Sequence, residues 1–123
     1  QQERIRDVLK RQLQISLRGV QQWLPLRKVV VGYEPIWAIG PGKTPPDTGY
    51  IAFVSAYIKE AVSELYGFTP QVVYGGGLKE ENARAICAVP GIDGGLVALT
   101  RFTGEIGFYP EDLKKIMIES LKG

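Results

Sequence analysis

The amino-acid sequence predicts an α/β fold in which parallel strands alternate with helices. Two observations lead there. Three short apolar runs, Lys28 to Glu34, Gln71 to Tyr74 and Gly95 to Leu99, are each followed by a glycine- or proline-bearing stretch and then by a segment of helical periodicity. The Val29-Val30-Val31 run has no polar alternation, which is the pattern of a strand covered on both faces in a parallel sheet. Repeats of this kind need crossover connections, and a parallel sheet follows.

The elements follow in order. Gln1 to Val20 places Ile5, Val8, Leu9, Leu13 and Leu17 at helical spacing between basic and amide residues, so it reads as an amphipathic helix ended by Trp23-Leu24-Pro25. Lys28 to Glu34 is the first strand. After the loop that follows it, Pro45-Pro46-Asp47-Thr48 leads into a second helix that Asp47 or Thr48 caps, with Ile51, Val54, Ile58, Val62 and Leu65 on one stripe until Gly67. Gln71 to Tyr74 is the second strand. Gly75-Gly76-Gly77 then precedes a charged helix from about Lys79, carrying Asn82, Ala83, Ile86 and Cys87 and stopped by Val89-Pro90-Gly91. Gly95 to Leu99 is the third strand, and Pro110 opens a last helix in the first-turn position proline favours.

Composition excludes several classes. The chain has 123 residues, one domain's length, and its 15 basic and 13 acidic residues leave a charge of +2 with no basic cluster among aromatics. A dedicated nucleic-acid surface is therefore not expected. Cys87 is the only cysteine and has no histidine in the chain to activate it, so it reads as core and no internal disulfide is possible. No apolar run reaches membrane-span length, which leaves a reduced cytoplasmic setting as the expectation. Without histidine or a carboxylate cluster, neither a metal nor a cofactor is expected. A chain that opens on Gln agrees with a fragment or a processed product.

The candidate chemistry lies where the first strand ends. Glu34 is a lone carboxylate at the carboxyl end of an apolar strand, the edge where α/β folds bind ligands. Pro35 fixes the chain direction directly after it. The stretch Pro35, Ile36, Trp37, Ala38, Ile39, Gly40, Pro41, Gly42, Lys43, Thr44 is stiff at both ends and small or apolar between, so it reads as a lid that moves as a flap. The plainer alternatives are an ion pair or turn cap for Glu34 and an ordinary strand-to-helix connection for the loop.

The segment YEPIWAIGPGKT, from Tyr33 to Thr44, resembles the catalytic strand and lid of the triosephosphate isomerases, commonly worded YEPVWAIGTGKT. Tyr74-Gly75-Gly76 resembles that family's YGGS loop, and Gly91-Ile92-Asp93-Gly94-Gly95-Leu96-Val97 resembles the DGxLVG strand before its final phosphate loop. The resemblance implies the C-terminal portion of a TIM (β/α)8 barrel, a fold of roughly 250 residues. Residues 1–123 would then be one incomplete domain running from the fifth helix through the eighth. It further implies an isomerase of a small phosphorylated sugar in carbohydrate metabolism, a homodimer in the family, with Glu34 shuttling a proton between adjacent carbons and the Gly40 N–H reaching a phosphate. The family's substrate-holding lysine and asparagine and its polarising histidine come from the first four strands, so this chain alone is expected to be inactive. Its sheet keeps one face and two edges open, to be closed by the missing N-terminal half or by a second copy.

Departures from the pattern carry further expectations. The family's lid-latching serine is replaced by Gly77, and the N–H that its tyrosine hydroxyl, here that of Tyr74, would meet is replaced by Pro45, which has none. The paired glycines of the last phosphate loop become Ala98-Leu99-Thr100-Arg101. A phosphate site rebuilt around Arg101, with Thr100 and the amides of Gly75, Gly76 and Gly77, is one reading; a surface ion pair for Arg101 is the other. The aromatics Phe102, Phe108 and Tyr109 read as packing for that final loop. The wording GPGKTPPD and ALTRFTGEIGFYP resembles isomerases of tetrulose phosphates, erythrulose phosphate among them. A non-catalytic barrel homologue in assembly or ligand sensing is the third reading.

Overall fold

The computed structural model describes residues 1–23, 28–40, 42–98, 107 and 109–123. In chain order these form α1 (Gln2–Ser16), β1 (Val30–Tyr33), α2 (Thr48–Tyr66), β2 (Gln71–Tyr74), α3 (Glu80–Cys87), β3 (Gly94–Gly95) and α4 (Pro110–Ser120). The three strands pair parallel in the order β1-β2-β3. Val31 stands opposite Val72 and Tyr33 opposite Tyr74, while Val73 meets Gly94. The α/β alternation expected from the sequence is thus the fold.

Local chemistry sets the boundaries. Asp47 caps α2 by accepting the Tyr50 N–H on Oδ1 at 2.7 Å, and Gly67 ends that helix at φ 77°, a backbone angle that favours glycine. Pro110 begins α4. The first helix stops at Ser16, short of the expected Val20, because Gly19 turns the chain at φ 77° and a short 3-10 turn follows over Val20–Trp23. The leucine stripe still runs on, since Leu17 packs on the same core as Leu9 and Leu13. The third strand covers Gly94–Gly95 where Gly95 to Leu99 was expected, although the Leu96 N–H prolongs the ladder to the Tyr74 carbonyl at 2.9 Å. Leu99 lies outside the described residues.

Among the described residues the helices pack on one face of the sheet only. Val72 and Tyr74, two residues apart and so on the same side of β2, are fully buried in two adjoining clusters. Val72 joins Leu13, Val54, Ile58 and Val62; Tyr74 joins Ile51, Ala83, Ile86 and Ile116. On the other face Val30 is 53% exposed, and Leu96 lies so close to Gly32 that a Cβ there would stand 2.9 Å from its Cδ1. The first strand is therefore covered on one side, and the expectation of cover on both does not hold among the described residues.

Candidate active site

The site is built at the carboxyl edge of the sheet. Glu34 leaves β1 directly after Tyr33, is solvent-exposed, and makes no ion pair or hydrogen bond among the described residues. Its side chain lies over Gly75, where a Cβ would stand 2.7 Å from Oε1 and 2.8 Å from Cγ. The next glycine does the same for the lid root: a Cβ on Gly76 would sit 2.7 Å from Pro35 Cδ and 2.5 Å from the Tyr74 hydroxyl. Two glycines after β2 thus let the carboxylate and the proline beside it settle on bare backbone.

The glycine loop is held by its own hydrogen bonds. Gly75 N–H donates to the Tyr33 carbonyl at 3.0 Å, and Gly77 N–H to the Gly75 carbonyl at 3.0 Å. The Gly77 carbonyl accepts from Asn82 Nδ2 at 3.0 Å, while Asn82 Oδ1 accepts the Lys79 N–H at 2.9 Å and so joins the loop to the start of α3. The Gly75 and Gly77 amides are therefore engaged, and Gly76 is the one of the three whose N–H has no protein acceptor among the described residues. Tyr74 is buried, and its hydroxyl donates to the Gly76 carbonyl at 2.8 Å. Burial pushes that hydroxyl's pKa up to about 12, so it stays a proton donor at neutral pH.

The segment that the sequence reads as a lid begins on buried residues and presents an exposed face. Pro35 and Ala38 are buried, and a 3-10 turn spans Ile36–Ala38, closed by Ala38 N–H to the Pro35 carbonyl at 2.9 Å. That turn was not foreseen. Ile36 between them is 84% exposed. Trp37 lies edge-on to Tyr50, with ring centroids 5.7 Å apart at 80°, and the Tyr33 hydroxyl donates to that of Tyr50 at 3.3 Å. Burial, assisted by Tyr50, raises the Tyr33 pKa well above its ordinary value. Gly40 and Gly42 take φ of 114° and 71°, and Lys43 N–H donates back to the Gly40 carbonyl at 3.3 Å.

Of the residues singled out from sequence, Glu34, Pro35, Gly75 and Gly76 come together here. Pro41, Thr100 and Arg101, like Phe102 and Phe108, lie outside the described residues. The sequence reading gives no site role to Tyr33 or Asn82 and does not single out Tyr50; the signal for Tyr50 is its place three residues after the Asp47 cap, in the first turn where the loop re-enters the fold. Among the described residues no three Cys, Asp or Glu side chains converge as a metal site would need.

A parallel sheet alternating with helices, with a carboxylate and a glycine loop at its strand carboxyl ends, is the arrangement of part of a (β/α) barrel. The family described as Triosephosphate isomerase matches residues 1–106. Triosephosphate isomerase from Geobacter metallireducens is 40% identical over 95 residues, covering 74% of this chain and 37% of that protein. The one from Alkaliphilus metalliredigens is 42% identical over 97 residues, covering 74% and 38%, and that from Moorella thermoacetica 40% over 94, covering 74% and 37%. The chain belongs to the triosephosphate isomerase family. It spans less than two fifths of the length of these curated relatives.

Proposed function

We propose that this chain supplies the proton-transferring half of an aldose–ketose isomerase acting on a small phosphorylated sugar. The observation that carries the reading is Glu34, a carboxylate left without a protein partner among the described residues and resting on Gly75 at the strand end where the lid begins. A carboxylate so placed lifts a proton from the carbon beside a carbonyl and returns it to the neighbouring carbon. Closure of residues 35–44 excludes water from the enediolate, which in water would lose its phosphate. The amides of Gly40 and Gly76 are the backbone donors on which the phosphate reading draws, with Arg101 and Thr100 as the charged and hydroxyl partners from the last loop.

The remaining machinery comes from an N-terminal part of the barrel. Two features favour such a partner. Beside the free edge of β1 runs a groove of about 280 Å³ lined by Leu9, Leu13, Leu17, Val30 and Ile58, and α4 presents Met117, Ile118 and Leu121 outward. A strand on β1 and a helix against α4 would cover both. The short length relative to the relatives points to the same occupant.

On substrate, the triosephosphate isomerase relatives support a small sugar phosphate of the triose kind, and the Ala98 to Arg101 wording keeps a tetrulose phosphate as the alternative. Assay of the full-length protein on both decides the matter. Turnover of either, lost in Glu34→Asp, is the expected result; no turnover and no binding of either would overturn the isomerase reading.

A further inference from the structure

Three side chains tie the two ends of the lid to each other. The lid departs from β1 after Tyr33 and re-enters the fold at α2, which begins at Thr48. Tyr50, in the first turn of α2, touches both sides of that departure: its hydroxyl accepts from Tyr33 at 3.3 Å, and its ring receives Trp37 edge-on at 5.7 Å. Its own backbone is fixed, because its N–H donates to Asp47 Oδ1 at 2.7 Å. Trp37 is half-exposed and Ile36 almost fully so. Tyr74, whose hydroxyl is turned to the Gly76 carbonyl, does not reach the lid's far end, where Pro45 offers no N–H.

We infer that Tyr50 is a positioning residue for the lid, an aromatic clasp that holds Trp37 in the resting arrangement. The inference rests on the isomerase reading for its catalytic consequence, though the clasp itself stands on the ring contact with Trp37. An edge-to-face aromatic pair shifts an equilibrium by about two- to tenfold, enough to bias a lid whose two positions lie close in free energy. Loss of the ring frees Trp37, and the lid then spends less of its time in the arrangement from which it closes over the sugar. Loss of the hydroxyl alone leaves the ring contact in place.

The test uses the full-length protein labelled with fluorotryptophan, with Trp37→Phe assigning the Trp37 fluorine resonance. In Tyr50→Leu that resonance is expected to move toward the position of free fluorotryptophan and sharpen, and kcat to fall about two- to tenfold. In Tyr50→Phe both stay near those of the unsubstituted protein. An unmoved Trp37 resonance in Tyr50→Leu would overturn the clasp. A moved resonance with unchanged kcat and KM would overturn the positioning role while leaving the contact. Absence of turnover in the unsubstituted protein would sink the isomerase reading and the positioning role with it, whereas the resonance still judges the clasp.

Discussion

Two carboxylates stand at opposite ends of the same parallel sheet and are treated in opposite ways. Asp93 precedes β3 at the amino edge, where its Oδ2 takes the Lys59 ammonium at 2.8 Å and the Val72 N–H at 2.8 Å, while its own N–H donates to the Val72 carbonyl at 2.8 Å. Glu34 follows β1 at the carboxyl edge with no such partner among the described residues. One carboxylate joins α2, β2 and β3; the other is supported from below by a glycine and left open above. The difference teaches where this sheet is fixed and where it can do chemistry. A carboxylate bound by a cation and a backbone N–H is engaged in holding the fold, whereas a base must keep an oxygen open to its substrate.

The largest effect that could break this contrast concerns Glu34. If the proposed isomerase reading holds, Glu34→Gln in the full-length protein is expected to lower kcat by about 10²–10⁴-fold, the usual worth of a positioned base, with unfolding free energy unchanged within about 0.5 kcal/mol. Steady-state kinetics and denaturant unfolding on the same preparation check both halves. A large loss of stability would show Glu34 to be a structural carboxylate like Asp93. Next comes Gly75→Ala, where the added methyl would fall 2.7 Å from Glu34 Oε1 and displace that carboxylate. The expected fall in kcat is about 10- to 100-fold with little change in KM, since displacement by an ångström is costly for the chemical step. Equal rates for Gly75→Ala and the unsubstituted protein would show that the carboxylate does not need its place over the loop.

The Glu34 side of the contrast is legible in the sequence, and what is not legible has physical causes. The second strand falls on Gln71–Tyr74 as read, and α2 starts and stops at Asp47 and Gly67, because caps are local chemistry that side-chain type alone announces. The end of α1 was misread because Leu17 continues the apolar stripe past the last helical turn, and stripe spacing does not register the positive φ of Gly19. Glu34 was legible from the motif around it. The Lys59–Asp93 pair was not, since it joins a helix to a strand far away in sequence and no local pattern marks it. Tyr50 is not marked for the same reason: its partners Tyr33 and Trp37 lie before and within the loop that precedes α2, and only the fold brings them to it.

Asp93 sharpens the contrast from the structural side. Lys59, bonded to its carboxylate, and the Val72 N–H hold its pKa below the ordinary 3.8. A carboxyl whose folded pKa is depressed contributes stability that is fully present above the unfolded value and is lost as pH falls through the folded one. Unfolding free energy should therefore decline from about pH 5 downward, and Asp93→Asn should flatten that part of the profile. At neutral pH the variant is expected to lose about 1–2 kcal/mol, the lower end of what charged hydrogen bonds contribute, because the ion pair is partly exposed to solvent. Its kcat should stay within about twofold, the substitution being at the far edge of the sheet. A fall in kcat comparable with that of Glu34→Gln would remove the division between the two edges.

The smallest effect lies in the buried hydroxyl between them. Tyr74→Phe deletes the donor to the Gly76 carbonyl while keeping the ring that packs on Ile51, Ala83, Ile86 and Ile116. The expected cost is about 0.5–1.5 kcal/mol of stability, the net worth of one hydrogen bond in a site where the carbonyl is left to find water. Because that hydroxyl is turned inward to its own loop and Pro45 has no N–H to offer it, the variant should not alter lid closure. In the fluorotryptophan-labelled protein the Trp37 resonance should therefore hold its position, and KM should not change. A Tyr74→Phe variant that is as stable as the parent yet moves the Trp37 resonance would mean that the tyrosine leaves Gly76 to latch the lid after all, with some acceptor or donor other than residue 45.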